Sequence, residues 1–490
     1  MPCLEVPSPG TGPALPTRLE PDAIGVAQDT VIGMATSAPA VVVALTLAGL
    51  AAAGSADGAN YGGGPILIVS AIPMLIIANA YRRLNLWSAN CGASFEWVGR
   101  AINPYLGFLT GWLMIAGYIL GTLSGVEVLG PQVLAVFGAS STNTWSNVAI
   151  ATVLGVAMLT IAVLGIRITA RTQVVMAIVE YTILVGMSIW GLAFVLGHHA
   201  GTVPITRGWF SLNGIGGHGD LVGGFLIAVF AYSGWDGTIY VNEEVKHRRV
   251  NPGRAAIMAV ALLAVLYTLA QVGLQGVVSV KNLQANSSSA LVYVAQALGG
   301  SGWSKVMALA IALSAIATTG TGIVVGSRIT YGMASYRTLP EWLGSVSRRF
   351  ATPAAASIAF GLVVTALAWV YLIATSVQTA FTYVVDLTGI LFAVFYILTA
   401  LAALVYFRRR IMSKPWDTLV LGILPLGSAG FLGWMVERSV VNAPWPERWS
   451  LVGIVVVGLV LMVVARLVLK SPFFQIARES DSGADAKPAS

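Results

Sequence analysis

Phe230-Ala231-Tyr232-Ser233-Gly234-Trp235-Asp236-Gly237 falls in the middle of an apolar run, 220 to 244, that is otherwise long enough to cross a bilayer. Two glycines and a carboxylate inside such a run predict a helix that unwinds and then resumes. Irregular backbone at membrane depth is tolerated only where protein buries it or where it lines a cavity, so this stretch points to a binding site within a helical bundle.

A second interruption matches the first. Gly33-Met34-Ala35-Thr36-Ser37-Ala38-Pro39-Ala40 sits about midway along the run 24 to 53, where Pro39 removes an amide donor and crowds the preceding turn. The two faults lie at the start of the chain and again five spans later. That placement is expected of two five-helix repeats of opposite topology, each opening with a broken helix. Half-helix N-termini offer amides and a positive dipole end to an anion, and frayed carbonyls accept from a cation, so a zwitterion such as an amino acid suits the pair.

Working outward, apolar runs divided by Gly, Pro, Asn or charge predict further crossings at 63–81, 104–132, 147–166, 171–197 and 254–279, then at 303–333, 353–374, 378–407, 415–437 and 449–470. With the two broken runs this makes an all-α polytopic membrane protein of about 12 transmembrane helices. It is read as a 5+5 inverted repeat with helices 1 and 6 broken, plus two C-terminal helices. Composition agrees: 57% of the 490 residues are hydrophobic and 10% charged, against about 25% charged in a soluble domain. Too little polar surface remains for water to be the main solvent, and a soluble globular protein is excluded.

The net charge of +7 is read as topology. With the N-terminus inside, 22 of the 27 Lys and Arg fall on inner segments, and only Arg207, Lys281, Lys305, Arg438 and Arg448 fall outside. That asymmetry orients both termini to the cytoplasm and makes a nucleic-acid partner unnecessary. Residues 1–22 are expected to be a disordered cytoplasmic tail, 23–200 the first repeat, 218–407 the second, 415–470 helices 11 and 12, and 471–490 a second cytoplasmic tail. Cys3 and Cys91 are read as free thiols.

Further residues carry a resemblance. The stretch 230–236, with Asn242-Glu243-Glu244-Val245-Lys246 and Asn251-Pro252-Gly253-Arg254-Ala255, resembles the sixth helix and following loop of the amino acid, polyamine and organocation (APC) permease superfamily. Tyr81-Arg82-Arg83-Leu84, Cys91-Gly92-Ala93-Ser94-Phe95-Glu96-Trp97 and Gly107-Phe108-Leu109-Thr110-Gly111-Trp112 are similar to the segment joining its second and third helices. Ser327-Arg328-Ile329-Thr330-Tyr331-Gly332-Met333-Ala334 resembles the end of its eighth. The resemblance implies substrate contact at Ser37, Ala38, Ala40 and Val41 and at Tyr232, Ser233, Gly234, Trp235 and Asp236, with Trp235 or Tyr232 as an aromatic gate. The departure is Ser37-Ala38-Pro39-Ala40, where the family usually has a Gly-Ser-Gly type turn.

Carboxylates at membrane depth are costly and mark function by default. Asp236, at the break, is a candidate to hold a substrate amine or to couple protonation to gating. Glu180, midway in the fifth span, stands where some proton-coupled relatives have a lysine. It is read either as a proton-carrying group or as a carboxyl bonded between helices. Glu127 follows the Gly117, Gly121, Gly125 series, a spacing typical of helix packing. Asp386 lies near the start of the tenth span, with a structural or outer-gate role. Ala315, Thr318 and Thr319 share one helix face, an arrangement similar to the one sodium-coupled relatives use, although threonines also bond back to their own helix. H+ and Na+ both stay open as the coupling ion.

The expected function is thus a secondary active transporter, a permease of the plasma membrane, moving an amino acid or related amine by alternating access. An exchanger of amino acids or polyamines is the alternative. A membrane-embedded hydrolase is remote: Gly217-His218-Gly219-Asp220 matches an intramembrane protease string, but no second aspartate faces it. A channel would show a continuous polar face, which this sequence lacks. No enzyme activity, cofactor or metal site is expected.

Overall fold

The computed structural model describes residues 18–53, 62–210, 212, 221–374 and 377–476, and among these every long element is a helix. In chain order the helices are α1 (Val26–Thr36), α2 (Pro39–Ala53), α3 (Gly63–Trp87), α4 (Ser94–Ala101), α5 (Pro104–Val136), α6 (Thr144–Leu164) and α7 (Ile166–Leu196). They continue with α8 (Leu221–Ala231), α9 (Gly237–Tyr240), α10 (Asn251–Leu274), α11 (Val280–Ala285), α12 (Ala290–Gly299) and α13 (Ser301–Ser335). The last are α14 (Ala354–Ala374), α15 (Val377–Tyr406), α16 (Arg408–Ile411), α17 (Pro415–Asp417), α18 (Leu424–Asn442) and α19 (Trp445–Leu467).

Local chemistry sets the boundaries. Asn103 Oδ1 accepts from the Tyr105 amide at 2.8 Å with Pro104 at the first helical position, and Asn143 Oδ1 accepts from Trp145 at 2.9 Å; both cap donors that have no partner inside their helix. Gly165, at φ +139°, separates α6 from α7 without a loop. A π-helical segment, Thr418–Ile423, joins α17 to α18 within one span.

Among the described residues ten helices are long and apolar enough to cross a membrane, or eleven when α1 and α2, bent by 42°, count as one. The expected count of twelve is not reached by length because the sixth run is split: α8 has 11 residues and α9 only 4. The fault read at Phe230 to Gly237 is itself what shortens it. Large apolar side chains on α19, among them Val452, Val456, Leu459, Val460 and Val463, are exposed along one face, a surface suited to lipid.

Packing repeats with pseudo-symmetry. Span 2 (α3) lies on span 7 (α10), span 3 (α5) on span 8 (α13), and span 4 (α6) on span 9 (α14). Span 5 (α7) against α13 is mirrored by span 10 (α15) against α5, and α1 against α10 by α8 against α3. These contacts of the first five spans thus have counterparts in the second five, and because five is odd the second set enters from the opposite side. The glycines Gly117 and Gly121 bring α5 against Thr388 and Phe392 of α15, and Gly125 brings it against α13, which is the packing role their spacing suggests.

The described ends of both presumed tails, residues 18–22 and 471–476, are packed near the bundle. Leu19 is buried and Glu20 pairs with Arg167 at 2.7 Å, so ordered chain starts before residue 22. At the other end, Ser471 Oγ donates to Tyr336 O at 2.6 Å, and Phe473, fully buried, stacks on Phe95 with centroids 4.1 Å apart. Residues 1–17 with Cys3, the string 217–220 and residues 477–490 lie outside the described residues. Cys91 is a buried free thiol whose pKa burial holds well above the usual range.

Candidate functional site

The first break turns on two residues. Ser37 and Ala38 amides close onto Met34 O and Ala35 O, both at 3.1 Å, and end α1; Ala38 then takes φ +49° and Pro39 opens α2. A left-handed alanine is strained by about 1–3 kcal/mol, and neighbours hold it there. Thr318 Oγ1 donates to Ala35 O at 2.6 Å, Tyr267 Oη to Ser37 O at 3.3 Å, and the Ala40 amide donates to Glu180 Oε1 at 2.9 Å and to Ser314 Oγ at 3.2 Å.

The second break runs from Tyr232 to Asp236, with Gly234 at φ +100°. It abuts the first break directly. A Cβ on Gly234 would stand 2.9 Å from Thr36 O, 3.0 Å from its carbonyl carbon and 3.1 Å from Ser37 N. A Cβ on Gly33 would stand 2.5 Å from Thr238 Cγ2 and 2.9 Å from Trp235 O. Glycine is required on both sides because main chain meets main chain.

Asp236 is fully buried in this break. Its Oδ1 accepts from Tyr396 Oη at 2.6 Å, while Oδ2 has no hydrogen-bond partner, and the hydroxyls of Tyr118 and Tyr240 lie beside it. Tyr396 Oη also accepts the Gly234 amide at 3.3 Å. Trp235, fully buried, stacks on Tyr396 at 5.2 Å and meets Tyr81 edge-on at 5.2 Å; Tyr232 Oη donates to Leu67 O at 3.1 Å.

Two cavities meet here. One of about 40 Å³ is lined by Ser37, Ala38, Val41, Ser233, Gly234 and Phe392, among others. A larger one of about 420 Å³ contains Asp386 and Glu447. Leu45 and Phe230 line both, so these two side chains are the partition between them. By this measure a water takes about 10–15 Å³, so the small cavity holds roughly three waters and must widen to take a metabolite.

The candidate residues therefore divide. Ser37, Ala38, Val41, Ser233 and Gly234 line the small cavity; Ala40 faces Glu180; Tyr232, Trp235 and Asp236 belong to the same break but are packed against α3 and α15. Of the ion candidates, Thr318 spans to α1 whereas Thr319 Oγ1 bonds back to Ala315 O at 2.8 Å, so these oxygens are paired with one another. Among the described residues no group of three or more His, Cys, Asp or Glu is gathered to hold a metal.

Sequence reasoning missed Tyr396, Ser314 and Asp29. Tyr396 had no local signal, being one aromatic among Phe392 and Phe395 in an apolar run. Asp29 had one: it lies inside the first span, and both its buried carboxylate oxygens lack a partner.

The motifs that are scattered along the sequence converge behind the breaks. Asn242 Nδ2 donates to Asn85 Oδ1 at 2.9 Å and Asn90 O at 3.0 Å, the Cys91 amide donates to Glu243 Oε1 at 3.0 Å, and Arg328 grips Glu244 in a fully buried bidentate pair at 2.9 and 3.0 Å. The Glu244 carbonyl also accepts the amides of Ala23 (2.8 Å) and Ile24 (3.2 Å). One knot thus ties the start of span 1, the end of span 6, the α3–α4 loop and α13.

Paired five-helix sets with two broken first helices in backbone contact define a class of helical membrane protein. Residues 30–475 match the amino acid permease family, and the chain belongs to it. It is 23% identical over 327 residues to "Cationic amino acid transporter 4, vacuolar" of Arabidopsis thaliana (62% of this chain, 53% of that one). It is 24% identical over 304 residues to "Low-affinity putrescine importer PlaP" of Escherichia coli (60% of this chain, 64% of that one). The chain thus spans between half and two thirds of these relatives. Its fold is similar to the crystal structure of MhsT in complex with L-phenylalanine, at 12% identity and TM-score 0.57, over 86% of this chain and 99% of that one.

Proposed function

We propose that the protein is a secondary transporter that moves an amino acid or related amine across the plasma membrane by alternating access. The observation that carries this reading is the abutment of two helix breaks around a buried carboxylate, with Asp236 Oδ2 left without a partner. The relatives, a cationic amino acid transporter and a putrescine importer, support it. The repeats are 23–200 and 218–407, helices 11 and 12 span 415–470, and both termini face the cytoplasm.

On this topology the larger cavity opens outward, since Ser287, Pro444 and Glu447 line it. The inner side is closed by Trp235, Tyr81 and the Arg328–Glu244 pair, all fully buried. Substrate would enter past Leu45 and Phe230, seat between the breaks, and leave inward when α1 and α9 swing and the Trp235–Tyr396 stack parts. The side chains of Ser37 and Ser233 and the main chain near Gly234 would contact it, with Ala38, Ala40 and Val41 shaping the floor.

Asp236→Asn in proteoliposomes is expected to lower uptake at least tenfold with thermal stability near wild type, because the amide keeps the volume and loses the charge. Wild-type uptake by this variant and by Trp235→Ala would remove both residues from the site. Either H+ or Na+ is the driving ion in this scheme, through Glu180 or through Ala315, Thr318 and Thr319 respectively. Imposing ΔpH and ΔNa+ separately assigns it: stimulation by sodium alone ends the role of Glu180, and stimulation by protons alone ends that of the threonines.

A further inference from the structure

A half-helix that begins inside a membrane presents its first amides and the positive end of its dipole to an anion. In α2 those amides are already committed. Pro39, its first residue, has none. The next, Ala40, donates to Glu180 Oε1 at 2.9 Å and to Ser314 Oγ at 3.2 Å, and Val42 closes onto Ala38 O at 2.8 Å. Among the first four only Val41 is left. The protein's own carboxyl group therefore stands where the carboxylate of an amino acid would be held.

In the second break the amides of Ser233, Gly234 and Gly237 are likewise taken, by Phe230 O, Tyr396 Oη and Gly234 O. Acceptors, by contrast, are in surplus. Asp236 Oδ2 is fully buried, accepts no hydrogen bond of good geometry, and has the neutral hydroxyls of Tyr118 and Tyr240 beside it. In the larger cavity Asp386 and Glu447 lie close enough for their charges to interact. Among the described residues no Lys, Arg or His lines either cavity. An incoming carboxylate would meet Asp386 and Glu447 in the larger cavity and Glu180 at the head of α2, whereas an ammonium group would find carboxylate and hydroxyl oxygens that can accept from it.

We propose that the substrate is an organic cation with one or more ammonium groups and no carboxylate, and that Glu180 determines this specificity by capping α2. The proposal rests on the transport reading and narrows it. Asp236 takes the ammonium group, Asp386 and Glu447 draw the cation into the vestibule, and Glu180 with Pro39 turns amino acids away.

Matched pairs that differ by one carboxyl group test it: phenethylamine against phenylalanine, cadaverine against lysine, and agmatine against arginine. Each is measured by thermal shift on the full chain and by uptake into proteoliposomes. Each amine is expected to bind at least tenfold more tightly than its amino acid. In Glu180→Leu with Pro39→Gly, which removes the capping acceptor at similar volume and restores an amide at 39, that ratio is expected to narrow. A residue that merely supports the fold would weaken both members of a pair alike, and that result overturns the role of Glu180. Amino acids binding wild type as tightly as their amines overturns the proposal and leaves the transporter standing. Uptake of neither member of any pair removes the transport reading and this inference with it.

Discussion

Gly234→Val is expected to bring uptake in proteoliposomes down to background. The position has φ +100°, where a β-branched residue is strained by about 1–3 kcal/mol. The new Cβ would also press on Thr36 O at 2.9 Å, Thr36 C at 3.0 Å and Ser37 N at 3.1 Å. Those are main-chain atoms, which cannot rotate aside as the end of a side chain would. Relief requires the two breaks to separate, and that opens the seat between them. Gly234→Ala carries the same Cβ on a smaller side chain and should retain partial uptake. Measuring both variants alongside their thermal stability separates lost transport from lost protein. Uptake by Gly234→Val within twofold of wild type would mean that the breaks part without cost and that their contact is incidental.

Arg328→Met is expected to destabilise the protein by about 3–5 kcal/mol, because it strands Glu244 as a buried, unpaired charge. Both side chains of this pair are 0% exposed, so water does not replace the lost guanidinium. The double variant Glu244→Met with Arg328→Met should recover most of that loss, since an apolar pair of similar volume removes the stranded charge. Chemical or thermal unfolding in detergent reads the difference. A double variant as unstable as the single one would place the cost in lost packing and not in charge. The Glu244 carbonyl holds the amides of Ala23 and Ile24 independently of its side chain, so this backbone tie should survive in the double variant.

Much of the fold was legible because lipid imposes simple rules. Apolar runs mark spans, and the observed helices start or end within a few residues of most runs. Two of the larger differences are local: α3 runs on to Trp87, beyond the apolar stretch, and α7 starts at Ile166, directly after Gly165 turns the chain. Both breaks were visible as Pro39 and as paired glycines. What could not be read was which side chains from distant spans meet there. Tyr396 reaches Asp236 across 160 positions, and Glu180 reaches Ala40 across 140; local pattern carries no trace of either contact. The tails were misjudged for a related reason. Leu19 is a single apolar residue in polar surroundings and Phe473 belongs to a short Pro-Phe-Phe stretch beyond the last apolar run, and only the pockets that receive them reveal their role.

The contact between Gly234 and Thr36 is made by peptide groups alone. A joint of that kind transmits movement without consulting the side chains that face the substrate. Val41, Val42, Ser124 and Thr388 line the small cavity but take no part in the joint, so they are free to change with the shape of the cargo. Relatives with different cargoes can then diverge at those lining positions while the mechanical coupling is inherited intact, and retargeting the carrier becomes a matter of upholstery around a fixed axle.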